Sequence, residues 1–261
     1  KQEVKKHSYI IFLLIPFTLL SQTSIMSYNI RYSTQNDGEN WWEFRKNEVA
    51  QLIDYYSPEI VGIQEGLDKQ VKYLDTFLSN YSYVGVGRDD GKLKGEYAAI
   101  FYKRERLKLI STKTYWLSKT PDEISIGWDA SFKRVVTFGE FYDIQTKDTL
   151  YVFNCHFDHK GKISRKKSAE LILQIIEDKK VINKKIIVMG DLNCEPDDEP
   201  MKLLKVNLED TYNSAGTVTY GPVGTFNEFN TKKLLQKLHN IEKFIKNNLE
   251  VEVNLEISYL H

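Results

Sequence analysis

Apolar residues along this chain gather in short runs, and several of the runs stop on a polar or acidic residue. Ile25-Met26-Ser27-Tyr28-Asn29-Ile30 reads as a short buried strand, which Asn36-Asp37-Gly38 breaks with turn chemistry. Ile60-Val61-Gly62-Ile63-Gln64-Glu65 is a second run, and it ends on a carboxylate. Between them Trp42, Val49, Leu52, Ile53 and Tyr56 recur near helical intervals, so the pattern predicts a helix over 42–56 and supports another over 71–78. From 83 to 157 strand signals dominate, at 83–86, 97–102, 107–117, 134–142 and 150–157. A helix over 163–178 would turn Ile172, Ile175 and Ile176 inward, and 186–189 is an apolar strand closing on Gly190-Asp191. There is no internal repeat and no linker. Mixed strands with helices between them predict an α+β fold, two packed sheets flanked by helices. Periodicity leaves the sheet order open.

The polar residues with chemical potential sit where these strands run out: Asn29, Glu65, His156 with Asp158, and Asp191 with Asn193. Strand ends at one rim of a sheet converge in space although they lie far apart in sequence. Residues i and i+2 of a strand share a face, so His156 with Asp158 and Asp191 with Asn193 are expected to project as pairs. Oxygen ligands such as Glu65, Asp191 and the two amides suit a hard cation. Magnesium held by few protein groups and several waters fits best, with manganese as a substitute.

Composition narrows the partners. The chain has 261 residues with 36 basic against 36 acidic side chains, 41% hydrophobic and 13% aromatic residues. That excludes a disordered or collagenous chain. The charge balance also argues against holding nucleic acid by blanket phosphate neutralisation. In the stretch 160–185 nine basic residues face three acidic ones, which reads as a solvated helix face. Cys155 and Cys194 match no zinc spacing and build no disulfide framework, so both are expected to be small buried residues, with a single disulfide between them as the alternative. Residues 1–7 are basic, 9–20 apolar and 21–24 small and polar, the three-part form of an export signal. The apolar run falls short of the about 20 residues of a membrane span. The reading is a signal peptide over 1–24, a single domain over 25–261, and a secreted or periplasmic protein.

Five stretches resemble the endonuclease/exonuclease/phosphatase superfamily, the deoxyribonuclease I-like fold: Met26-Ser27-Tyr28-Asn29-Ile30-Arg31, Gly62-Ile63-Gln64-Glu65, Gly95-Glu96-Tyr97-Ala98-Ala99-Ile100-Phe101-Tyr102, Asn154-Cys155-His156-Phe157-Asp158-His159 and Gly190-Asp191-Leu192-Asn193. Together they cover about 25–230 in the family's order. The loop 85–91, Gly127-Trp128-Asp129-Ala130 and Gly224-Thr225-Phe226-Asn227 look like a secreted bacterial branch. The resemblance implies a four-layered α/β/β/α sandwich and a secreted, divalent-metal-dependent phosphoric ester hydrolase. It implies that Glu65 binds the metal, with Asn29 beside it at metal and phosphate. His156 would contact the phosphate or protonate the leaving oxygen, with Glu96 orienting its ring. Arg134 would contact the phosphate, as would Asp158 with less weight. Asp191 would position or deprotonate the attacking water, and Asn193 would hold the phosphoryl oxygens. The substrate would be a phosphate ester of nucleic acid, nucleotide, phosphosugar or phospholipid headgroup, taken by a monomer with no stable protein partner. The loop 88–95 and the Trp128 segment are expected to shape specificity.

The family pattern continues with an Arg-Ile-Asp-Tyr-like strand and a Ser-Asp-His, and neither is found in this sequence. Leu235-Gln236-Lys237-Leu238-His239-Asn240-Ile241-Glu242-Lys243-Phe244 stands where the first is expected. This reads as a C-terminally incomplete domain with an exposed sheet edge. It gives an alternative expectation, a catalytically dead member that at most binds phosphate or metal.

Overall fold

The structure, a computed structural model, describes residues 23–214 and residue 229. Along the chain run β1 (Ile25–Asn29), a 3-10 turn (Gln35–Asn40), α1 (Trp42–Tyr56), β2 (Ile60–Gly66), α2 (Asp68–Phe77), β3 (Tyr81–Val84), β4 (Tyr97–Lys103), β5 (Leu107–Trp116), β6 (Val135–Asp143), β7 (Thr149–His156), α3 (Lys162–Asp178), β8 (Lys185–Asp191), α4 (Glu199–Lys205) and α5 (Thr211–Ser214). The strands form two four-stranded sheets, ordered β1-β2-β4-β3 and β5-β6-β7-β8. Each is mixed: β1 is parallel to β2 and β8 parallel to β7, while the other pairs are antiparallel. The two parallel pairs are the ones whose connections run through α1 and α3, as crossovers require.

Three apolar clusters make four layers of this. Trp42, Val49 and Ile53 of α1 and Leu74 of α2 pack on Val61, Ile63 and Phe101 of the first sheet. Ile172 and Ile176 of α3 and Leu204 of α4 pack on Val136, Phe138 and Phe153 of the second. Between the sheets lie Ile60, Ile100, Phe141, Val152 and Met189. A strand in that position is covered on both faces, which is why Tyr97 to Phe101 are all buried and the apolar run there is continuous rather than alternating. Burying each such large side chain contributes about 1.5–3 kcal/mol.

The expected α+β sandwich is therefore the observed one, and most boundaries agree. The second helix begins at Asp68, earlier than its apolar spacing suggested. Its first turn carries Gln70, whose Oε1 accepts from Leu67 N at 3.2 Å. α4 and α5 span seven and four residues, too few to display a period. Cys155 is buried as expected, whereas Cys194 is half-exposed, and both are free thiols. Among the described residues β1 and β8 each pair on one side only, and no helix is long and apolar enough to cross a membrane. Residues 1–22 of the signal peptide expected over 1–24, and the C-terminal stretches at 224–227 and 235–244, lie outside the described residues.

Candidate active site

β2 and β4 fall out of step between Ile63 and Gly66, because three steps on β2 oppose two on β4. The extra residue makes a bulge that re-aims a side chain. Glu65 sits in it with φ at +64°, a left-handed conformation that costs a non-glycine residue about 1–2 kcal/mol. Its carboxylate is thereby turned to the end of β1. Glu65 Oε1 accepts from Asn29 Nδ2 at 2.9 Å and Oε2 from the backbone N–H of Tyr32 at 3.2 Å, with the Arg31 guanidinium 3.7 Å away. Asn29 Nδ2 also donates to Asp191 Oδ2 at 2.8 Å. One carboxamide thus ties together two carboxylates 126 positions apart in sequence (191 − 65). Gln70 fixes the loop that follows β1: it accepts from Ser33 N at 2.8 Å and donates to Arg31 O at 2.9 Å.

The other side of the site comes from the ends of β7 and β8, which pair His156 directly with Asp191. The strand rule that grouped His156 with Asp158 and Asp191 with Asn193 does not apply, since both strands end before the second member of each pair. Asn193 instead lies in a left-handed turn at φ +47°. Its backbone N–H donates to Asp191 Oδ1 at 3.0 Å and its Nδ2 to Phe157 O at 3.0 Å, so in this structure it clamps the two strand ends together.

His156 lies between two acids, with Nδ1 3.6 Å from Glu96 Oε2 and Nε2 3.9 Å from Asp191 Oδ2. Arg134 Nη1 is 3.2 and 3.1 Å from the two ring nitrogens. A donor equally close to both cannot lie along either in-plane lone pair, so the guanidinium stacks over the ring. Burial, then the cationic Arg134 and Arg88, hold the imidazole pKa well below its ordinary value, and the ring is neutral at neutral pH. Glu96 does not orient the ring by a direct hydrogen bond. Its oxygens are taken by Arg88 in a bidentate pair at 2.7 and 2.9 Å, and burial raises its pKa against the pull of that arginine.

Asp158 is fully buried behind Arg134. Its Oδ1 accepts from Lys160 N and Gly161 N at 2.9 and 2.8 Å, and its Oδ2 from Ser131 N at 3.0 Å and Arg134 Nε at 3.3 Å. Both oxygens are occupied, so the geometry gives it the work of holding Arg134. Nη2 of Arg134 reaches His159 Nδ1 at 3.0 Å. Of the residues expected from sequence, the structure brings Asn29, Glu65, Glu96, Arg134, His156 and Asp191 to one place, with Asp158 and Asn193 beside them. Sequence reasoning missed Gln70, Arg88 and Phe132, whose partners lie on other loops and leave no local signal.

One ligand atom each from Glu65, His156 and Asp191 lie within 4.8 Å of one another. Two carboxylates and a neutral imidazole are a donor set that fits a divalent cation. A family model described as the Endonuclease/Exonuclease/phosphatase family matches residues 26–234. The chain belongs to that family. It is 37% identical to an endonuclease/exonuclease/phosphatase from Bacteroides vulgatus, with a TM-score of 0.66 over 69% of either chain. A mannosyl-6-phosphatase of Bacteroides thetaiotaomicron is 36% identical, with a TM-score of 0.67 over 70% of this chain and 69% of that one. An uncharacterized protein of Acanthamoeba polyphaga mimivirus is 30% identical over 172 residues, and the match spans 63% of the length of that relative.

Proposed function

We propose that the protein is a divalent-metal-dependent phosphoric ester hydrolase acting on a small phosphate ester. The observation that carries this is the convergence of Glu65, Asp191 and His156 within 4.8 Å, with the Arg134 guanidinium over the imidazole. Glu65, Asp191 and His156 would hold the cation, which supplies positive charge against the developing charge on the phosphoryl oxygens. Arg134 neutralises a second phosphoryl oxygen from a buried position, where its charge is little screened. Asp191 takes the proton of the attacking water as the new phosphorus–oxygen bond forms and the ester bond breaks. His156, held neutral, offers one N–H to a phosphoryl oxygen, and the leaving alcohol takes its proton from solvent. Asn29 fixes the spacing of the two carboxylates. The zero formal net charge favours a small ester over long duplex nucleic acid, and the similar mannosyl-6-phosphatase supports the same choice. Export, read from 1–24, belongs to the same proposal, and fractionation of expressing cells tests it.

The activity is tested on bis-nitrophenyl phosphate and on mannose 6-phosphate. EDTA should abolish hydrolysis and magnesium restore it, and Asp191→Asn should lower kcat by about 10²-fold or more. Hydrolysis that ignores EDTA overturns the role of the metal. Absence of hydrolysis with phosphate binding retained identifies a catalytically dead family member instead.

A further inference from the structure

Phe132 is 51% exposed, yet two of its neighbours, Arg88 and Arg134, are buried. A lone exposed aromatic needs no explanation. This one differs in its contacts. Its ring stacks on His159 at 5.9 Å and 18°, and the guanidinium carbons of Arg88 and Arg134 lie 5.5 and 5.9 Å from its centroid. The loop that carries it is pinned at three points. Asp129 accepts from Ile163 N and Ser164 N at the start of α3, at 3.2 and 2.6 Å. Ser131 N donates to Asp158, and Arg134 O accepts from Leu117 N at 2.7 Å. Lys133, paired with Asp89 at 3.3 Å, sets a polar rim beside the ring.

Resting on the phosphoester reading above, we propose that Phe132, backed by His159, is the wall against which the ring of a phosphorylated sugar packs while its phosphate meets Arg134. A half-exposed aromatic ring beside two guanidinium groups suits the C–H face and hydroxyls of a pyranose. The ring stands next to the phosphate-facing arginine, which favours an ester whose ring follows the phosphate at once or after one carbon. In a nucleoside 5′-phosphate the ring at that distance is a furanose carrying a base, which offers a smaller C–H face than a pyranose. Truncating the ring removes the apolar contact and leaves the phosphate contacts in place, so its removal should be read directly in affinity.

The test is calorimetry with magnesium present, using non-hydrolysable phosphonate analogues of mannose 6-phosphate, glycerol 3-phosphate and adenosine 5′-phosphate. The wild-type protein should bind the mannose analogue about tenfold or more tighter than the glycerol one, a difference of about 1.4 kcal/mol. Phe132→Ala should bring that ratio close to one, and Phe132→Tyr should keep it. An unchanged ratio in Phe132→Ala, or a wild-type preference for the glycerol or adenosine analogue, overturns the proposal. Failure of the hydrolase reading shows separately, as absence of turnover of mannose 6-phosphate itself by a protein whose binding ratio still depends on Phe132.

Discussion

Both oxygens of Asp158 are spent on four donors inside the protein, and the consequence is electrostatic as well as geometric. Burial alone would push its carboxyl up, but the N–H groups of Gly161 and Lys160 and the Arg134 guanidinium outweigh it and bring the pKa down to about 2. A folded carboxyl that ionises at lower pH than the unfolded one stabilises the fold fully above about pH 4, and that contribution is lost as the pH falls toward 2. It amounts to about 2 kcal/mol. Urea midpoints at pH 5 and pH 3 should therefore differ less in Asp158→Asn than in the wild type. The variant should also be less stable at pH 7 by about 3 kcal/mol, because it leaves Arg134 buried and unpaired. A wild-type-like pH dependence in the variant would show that the carboxylate is not the group being titrated. Glu65, His156 and Asp191 were legible at this scale, since an apolar run ending on a chemically active residue is a local pattern. Arg88 was not, because its partner Glu96 is met only when the intervening loop folds back, with Arg88 N donating to Glu96 O at 3.1 Å.

At the scale of elements, the site depends on two places where a strand departs from regular geometry. One is the bulge that carries Glu65. The other is Gly190, at φ +137°, where an added Cβ would stand 1.9 Å from Cys155 O on the neighbouring strand. No movement of a flexible side chain can relieve that contact, since the atom met is backbone. Gly190→Ala should cost about 3 kcal/mol or more and displace Asp191, the next residue. Gly38 provides the contrast: it also has a positive φ, at +57°, but nothing lies within 4 Å of an added Cβ. Gly38→Ala should cost only the backbone strain of φ +57°, ψ −121°, about 1–3 kcal/mol, with no clash added. Denaturant midpoints of the two variants compare them directly. A second element-scale prediction concerns α3, whose first N–H groups are capped by Asp129 from another loop. Asp129→Ala should cost about 1 kcal/mol in the same measurement. Apolar spacing announced the helix itself. It could not announce a cap supplied from 35 positions upstream of Ser164 by a residue of the Trp128 segment, which was expected to shape specificity.

Across the whole molecule, the two sheets are joined by more than apolar packing. Asn154 of β7 donates to Ile63 O and Ala99 O of the facing sheet at 2.9 and 2.8 Å, and accepts from Gln64 Nε2 at 2.7 Å. All of this is buried, and the sheets approach so closely there that a Cβ on Gly62 would meet Asn154 Oδ1 at 2.7 Å. The sequence pattern indicated two packed sheets, but a buried amide within an apolar run says nothing about which strand it will meet. That pairing emerges only from the assembled layers. It also matters for chemistry, because Ile63 and Gln64 lead directly into the bulge that aims Glu65. Asn154→Leu should remove the side-chain donor from two buried carbonyls and one acceptor from Gln64 Nε2, which keeps Gly62 O at 3.0 Å and Ser27 Oγ at 3.3 Å, at a cost of about 1–3 kcal/mol. Gln64→Leu removes only its own bonds. Because the two amides are in contact, the double variant should not sum the singles, and a coupling of about 1 kcal/mol or more is expected. The functional counterpart is a weaker hold on the cation: magnesium titrations of Asn154→Leu should show a reduced affinity even though the residue touches none of the three metal-facing side chains. Unchanged magnesium affinity in a variant that has lost the expected stability would mean that the bulge holds Glu65 in place without help from the second sheet.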